Sequence, residues 1–228
     1  MPKTFVIGDI HGAHRALLQC FEKSNFDNTT DTLICLGDVA DGWPETNQAI
    51  EELLKVKNLI YVLGNHDFWT LEWMISGYAE DNWLEQGGQA TIDSYLGNAP
   101  DAHIQFFKQA KQYCILENKL FVHAGIQTDR PLGEQGIQTF LWDRSFARLV
   151  KRQHAIDRNK RLTQFDAVFI GHTPIPDPHP IQYCEVWMMD TGAGWSGRLS
   201  MMDIDTLESF VSDPIPKLYP GVTGRTKF

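Results

Sequence analysis

With 43% apolar and 21% charged residues over 228 positions, the chain has the composition of a folded protein and not of a disordered one. Its formal net charge of −9 excludes a general nucleic-acid binder, which carries a basic surface, but not an anionic substrate, because bound divalent cations reverse the charge of a site locally. Four cysteines form no Cys-x-x-Cys pair and are expected as free thiols, no apolar run reaches the ~18 residues of a membrane span, and the first strand starts too near Met1 for a signal peptide, so a cytoplasmic location is expected.

In chain order, residues 4–7 form a β-rich run ending in Gly8-Asp9. Residues 13–23 place Ala16, Leu17, Cys20 and Phe21 on one helical face. A second strand over 32–36 ends in Gly37-Asp38, and a helix over 45–55 turns Ile50, Leu53 and Leu54 inward. A third strand over 59–63 ends in Gly64-Asn65. This alternation predicts parallel strands joined by crossover helices, with a site at their carboxyl ends. Residues 68–97, rich in Trp and Gly, are expected as a mainly helical cap, and a further helix covers 102–111. Residues 113–116 and 119–123 flank Glu117-Asn118 as a hairpin, and 146–154 is an amphipathic helix. Residues 167–170 form a strand ending in Gly171-His172, and 181–211 a run of antiparallel strands.

Five short motifs sit where strands end: Gly-Asp-Ile-His-Gly (8–12), Gly-Asp-Val-Ala-Asp-Gly (37–42), Gly-Asn-His-Asp (64–67), His-Ala-Gly (123–125) and Gly-His-Thr (171–173). Asp9 and His11 are two apart, so an extended chain would turn both to one side. Asn65 is a neutral oxygen donor suited to a hard or borderline divalent cation. Chance would have to place six metal-type residues at strand ends, so the motifs point to a two-metal centre and to phosphate-ester hydrolysis.

On these motifs the chain resembles the calcineurin-like metallophosphoesterases. The run Phe121-Val122-His123-Ala124-Gly125-Ile126 and the late Asp190-Thr191-Gly192 look like the bacterial phosphoprotein (serine/threonine) phosphatase branch. Pro174, standing where many relatives carry a second His after Gly171-His172, fits the same branch. The resemblance implies an α/β fold of two packed mixed β-sheets flanked by helices, an α/β/β/α sandwich. We expect one domain over 1–212 with a helical cap insertion at about 68–111, followed by an extended tail over 213–228.

The resemblance also implies roles. Asp9 and His11 would hold one metal, Asn65, His123 and His172 the other, and Asp38 would bridge both, with a bridging hydroxide attacking phosphorus in line. His66 would protonate the leaving group and Asp41 would orient it. Two divalent ions are expected, manganese first, with iron and zinc as alternatives. The arginine that follows this Asp in eukaryotic-type members is absent, since Gly42 and Trp43 follow Asp41. Arg144 resembles a second phosphate-contacting arginine of bacterial members. Asp67 replaces the branch's Glu and is expected to support the ligands from behind.

Phe68, Trp69 and Trp43 are expected to pack in the cap, with an aromatic wall for a substrate ring as the alternative. The basic stretch 144–161 is expected as a solvated helix face, and His14, His103, His154 and His179 as surface or packing residues. The functional expectation is a phosphomonoesterase acting on a phosphorylated protein or small phosphoester, of serine/threonine or dual specificity. Its alternatives are a dinucleoside tetraphosphate hydrolase and a catalytically silent phosphate-binding scaffold. Neither nucleic acid nor membrane is an expected partner, and the oligomeric state is left open.

Overall fold

The computed structural model describes residues 2–225. Strands β1 (Thr4–Ile7), β2 (Thr32–Cys35) and β3 (Asn58–Tyr61) pair in parallel, with Thr4 opposite Thr32 and Thr32 opposite Asn58. Helices α1 (His14–Ser24) and α2 (Thr46–Leu53) make the two crossovers. The face expected for α1 is the buried one. In α2, Ile50 and Leu53 are buried but Leu54 is exposed, because the helix ends at Leu53 and Val56 takes the inward place.

Between β3 and the next strand lie α3 (Asn65–Ser76), α4 (Asp81–Trp83), a π-helical turn at Leu84–Gly88, α5 (Gln89–Ser94) and α6 (Asp101–Lys108). Helix α3 starts before the expected cap, so Asn65, His66 and Asp67 form its first turn. Strands β4 (Tyr113–Leu116) and β5 (Lys119–Val122) form the expected hairpin, and Glu117 and Asn118 adopt φ 48° and 58°, the left-handed pair a two-residue turn requires. A 3₁₀ turn at Leu132–Glu134, α7 (Ile137–Trp142) and α8 (Ser145–Ile156) lead to β6 (Ala167–Ile170), β7 (Ile181–Tyr183) and β8 (Val186–Met188). Strands β9 (Ser200–Asp203) and β10 (Ser209–Val211) precede α9 (Ile215–Leu218).

The strands make two five-stranded mixed sheets, ordered β10-β9-β1-β2-β3 and β4-β5-β6-β8-β7. The fold is therefore the expected pair of packed sheets flanked by helices. Alternation along the strands builds the layers. Val6 and Ile34 of one sheet meet Phe121 and Phe169 of the other in a shared core. Phe5, Ile7 and Leu33 point outward into the core with α1 and α2, while Leu120, Val122 and Val168 pack with Phe146 and Val150 of α8. The central strands β1, β2, β5 and β6 are buried on both faces, which explains why they read as continuous apolar runs.

The antiparallel run expected over 181–211 is split. The β7–β8 and β9–β10 pairs are antiparallel, but β8 lies parallel to β6, and β9 crosses to the other sheet beside β1. The tail expected to be extended is also corrected. Its prolines begin the helical turn α9 instead of preventing it. Ile215 and Tyr219 are buried, Tyr219 stacks on Trp43, and the chain returns to bury Arg225. Residues 226–228 lie outside the described residues. All four cysteines are free, and no helix among the described residues is long and apolar enough to cross a membrane.

Candidate active site

The two sheets bring the carboxyl ends of β1, β2 and β3 against those of β5 and β6, and backbone hydrogen bonds tie the loops that leave them. Ile10 N and His11 N both donate to the Asp38 carbonyl, at 3.0 and 2.8 Å, and Gly171 N donates to the His123 carbonyl at 2.8 Å. The chain is not extended through the first motif, as its spacing suggested: His11 turns at φ 51°. Asp38 (φ 51°), Asp41 (φ 72°) and His172 (φ 60°) share this left-handed conformation, costly for non-glycine residues and concentrated where side chains must be aimed. Gly64 and Gly171 are required for close approach. A Cβ on the first would strike the Asp38 carboxylate, and on the second the Asp9 carboxylate.

Two buried donor triads result, His11–Asp38–His66 and Asp38–His123–His172, and Asp38 belongs to both. Asp38 Oδ2 lies 3.8 Å from His11 Nε2 and 3.4 Å from His123 Nε2, while His123 Nε2 is 3.0 Å from Asn65 Oδ1. Backbone carbonyls fix the imidazoles: His11 Nδ1 donates to Ala40 O at 3.0 Å and His123 Nδ1 to Leu36 O at 2.8 Å. Each ring therefore turns Nε2 to the centre. Asp9 lies outside both triads. Its carboxylate accepts the His172 N–H at 3.0 Å, and it lines the same cleft.

His66 is also held from behind. Its Nδ1 donates to Asp41 Oδ2 at 2.6 Å. Asp41 is fully buried and further accepts Trp83 Nε1 at 2.7 Å and Thr91 Oγ1 at 2.7 Å. The helices after β3 thus supply all three side chains that fix this carboxylate, His66 from α3, Trp83 from α4 and Thr91 from α5. A cleft of about 140 Å³ opens over the cluster, lined by Asp9, Asp38, Asn65, His66, His172 and Arg144, with Trp69, Trp142, Gln86 and Arg225 completing it.

The matching family model, calcineurin-like phosphoesterase, spans residues 2–185. The chain belongs to this family. It is accordingly a metal-dependent phosphoester hydrolase. Serine/threonine-protein phosphatase 1 of Salmonella typhimurium is 26% identical to this phosphoesterase over 205 residues, covering 88% of this chain and 91% of that protein. The symmetrical bis(5'-nucleosyl)-tetraphosphatase of Photorhabdus laumondii is 39% identical over 129 residues, which is 54% of this chain and 44% of that one. A solved structure assigned as a diadenosine tetraphosphatase shares the fold, with a TM-score of 0.67 and 18% identity over 94% of this chain and 96% of its own.

The donor set of this phosphoesterase fits divalent cations. Metal bonds of about 2.1 Å hold neighbouring ligand atoms about 3 Å apart, close to the spacings around Asp38. The electrostatics call for positive charge. Burial, then Asp190 and Asp38, push the Asp9 carboxyl well above its ordinary value. Burial with Asp38 pushes Asp67 and Asp190 up to about 6. Burial would raise Asp38 too, but His123, by charge and by hydrogen bond, and then His66 outweigh it and hold it well below the carboxylate range. Burial would lower His123, yet Asp38 and Asp9 raise it to about 10. By contrast, burial, with Arg225 beside His11 and His123 beside His172, keeps His11 and His172 well below the ordinary imidazole value. Those two rings stay neutral and offer lone pairs.

The expected metal ligands, together with His66, Asp41 and Arg144, come to this one place. Arg144 is half-buried, and its Nε donates to His172 Nε2 at 3.2 Å. Of the aromatic trio, Trp69 lines the cleft, whereas Trp43 is buried and donates to Ala193 O at 2.7 Å, a packing role. Sequence reading missed Asp190 as a site carboxylate, although it follows the β8 run as Asp38 follows β2. It also missed Arg225, which has no motif.

Asp67 binds the second and third motifs together. Its carboxylate accepts the N–H groups of Asp38, Val39 and Gly64 at 2.8–2.9 Å and the Tyr61 hydroxyl at 2.8 Å. Asp67→Ala leaves these buried donors unpaired, so unfolding in denaturant is expected to show a loss of about 3–5 kcal/mol. A loss below about 1 kcal/mol would show that the loops hold without it.

Proposed function

We propose that this phosphoesterase hydrolyses phosphomonoesters, with serine/threonine or dual-specificity phosphoproteins as substrates, at a two-metal centre. The observation that carries this reading is the pair of donor triads meeting at Asp38 beside the His66–Asp41 hydrogen bond, with Asp38, His66 and His172 lining one cleft. In this reading Asp9 and His11 hold one divalent ion, Asn65, His123 and His172 the other, and Asp38 both; manganese is the first to test, for a mixed oxygen and imidazole set. When bound, the ions lower the pKa of water and draw charge from the phosphoryl oxygens. His66 gives its Nε2 proton to the leaving oxygen, and Asp41, by accepting from Nδ1, fixes the ring so that Nε2 faces the cleft. Arg144 binds a phosphoryl oxygen.

Size supports a phosphoryl-sized site. Pockets that enclose a drug-sized ligand run from about 300 to 1,000 Å³, so a cleft of about 140 Å³ takes the phosphoryl group and leaves the rest of the substrate on the surface. Trp69 and Trp142, ring centroids 6.1 Å apart, support a second reading, in which they stack a nucleobase and the substrate is a dinucleoside tetraphosphate. The four free thiols support a reducing, cytoplasmic setting.

The test is kcat/KM with manganese for phosphoseryl, phosphothreonyl and phosphotyrosyl peptides against diadenosine tetraphosphate. The first reading expects a peptide to be preferred by at least about tenfold, or ~1.4 kcal/mol. Preference for the dinucleotide selects the second reading, and no turnover of any of them overturns both.

A further inference from the structure

We propose that Arg225, delivered by the C-terminal segment, is a phosphate-contacting guanidinium of this site and takes the place left by the arginine missing after Asp41. The inference rests on the phosphomonoesterase reading. Three observations carry it.

The first is position. Arg225 lines the cleft together with Asp38, His66 and Arg144. Its Nη1 lies 3.4 Å from Nε2 of His11, while Arg144 Nε lies 3.2 Å from Nε2 of His172. One guanidinium therefore stands beside a histidine of each triad. A phosphoryl group seated over the two triads would meet an arginine at both ends.

The second is the path of the side chain. A Cβ at Gly42 would lie 3.1 Å from Arg225 Cγ, one at Gly87 also 3.1 Å, and one at Gly194 3.2 Å from Cδ. Three positions without side chains thus form the channel the arginine threads. Gly42 is the residue that directly follows Asp41, so the stem of Arg225 occupies the space an arginine there would enter. Gly42 itself has φ 97°, a conformation an arginine adopts only under strain. The sequence change at position 42 and the buried tail arginine are two sides of one packing arrangement.

The third is an unmet hydrogen-bonding need. Arg225 is 8% exposed. Its outer face is fixed: the guanidinium stacks 4.4 Å from the Trp195 ring, Nη2 donates to Gln86 Oε1 at 3.2 Å, and its backbone N–H donates to Gly194 O at 2.9 Å. Among the described residues, however, its buried Nε has no hydrogen-bond partner. A buried cation with an unsatisfied N–H is costly unless an anion completes it. The planar fork of a guanidinium suits two phosphoryl oxygens.

The test uses full-length protein loaded with manganese, as wild type, Arg225→Gln and Arg225→Lys. Titration calorimetry measures the Kd for inorganic phosphate, elemental analysis the bound metal, and steady-state kinetics the KM and kcat for an aryl phosphate. Arg225→Gln, which keeps most of the bulk, is expected to weaken phosphate binding on the order of 10- to 100-fold and to raise KM in parallel, with metal content unchanged. Arg225→Lys should recover only part, because an ammonium cannot make the fork. A phosphate Kd in Arg225→Gln within twofold of wild type overturns the proposal. So does loss of bound metal in step with loss of phosphate affinity, which would assign Arg225 to the metal centre. If the wild type binds phosphate but hydrolyses no phosphoester, the phosphomonoesterase reading fails while the phosphate Kd still decides the role of Arg225.

Discussion

His66→Asn is expected to retain the full metal content and to lower kcat for phosphoserine peptides by about 10²–10⁴-fold, the range for losing a positioned proton donor. The loss should be smaller for an aryl phosphate, whose leaving oxygen departs without a proton. The geometry makes this a discriminating measurement, because His66 is grouped with His11 and Asp38 as a possible ligand as well as being bonded to Asp41. A ligand role predicts loss of metal and equal damage to both substrates, and that outcome would exclude the acid role. Asp41→Asn should follow His66→Asn part of the way. An amide in that buried place can turn only its oxygen toward the three donors His66 Nδ1, Trp83 Nε1 and Thr91 Oγ1, and its own NH₂ must then face one of them.

The reach of the sequence follows the range of the interactions. Strands β1, β2 and β3 and helices α1 and α2 are legible because their apolar periodicity records burial residue by residue, and the motif residues are legible because each ends such a strand. Parallel pairing then gathers the first three motifs without any knowledge of the other sheet, and His123 and His172 join them through the packing of the two sheets. What supports Asp41 is not legible. Trp83 and Thr91 lie 42 and 50 residues away and look like ordinary residues of a helical stretch. Arg225 is separated from His11 by 214 residues in a segment whose prolines and glycines suggest an extended tail. That segment folds back because Ile215 and Tyr219 find apolar partners, a tertiary fact that no local pattern encodes. Asp190 stands between these cases: the apolar run of β8 before it was available as a signal, but no glycine precedes it as Gly8 precedes Asp9 and Gly37 precedes Asp38.

Asp38→Asn is expected to have a larger effect than any other single change, because it acts on both triads at once. The substitution keeps the shape of the side chain and removes one negative charge from a site where Asp38 faces His11, His66 and His123. Asn65 already contributes a neutral oxygen to the same cluster, so a second amide leaves the shared position without charge to attract either cation. His123, held at about 10 chiefly by Asp38 against burial, should fall toward the neutral range, and the pull that gathers Nε2 of His11 and His123 around one carboxylate weakens. Bound metal should drop below two equivalents. The rate should drop by at least about 10³-fold, since cation stabilisation of a phosphoryl transition state is worth several kcal/mol. The contrast with His66→Asn is what assigns the roles: one variant loses metal and rate together, the other loses rate alone. Two equivalents of metal in Asp38→Asn with a rate near wild type would show that the triads do not share their central residue.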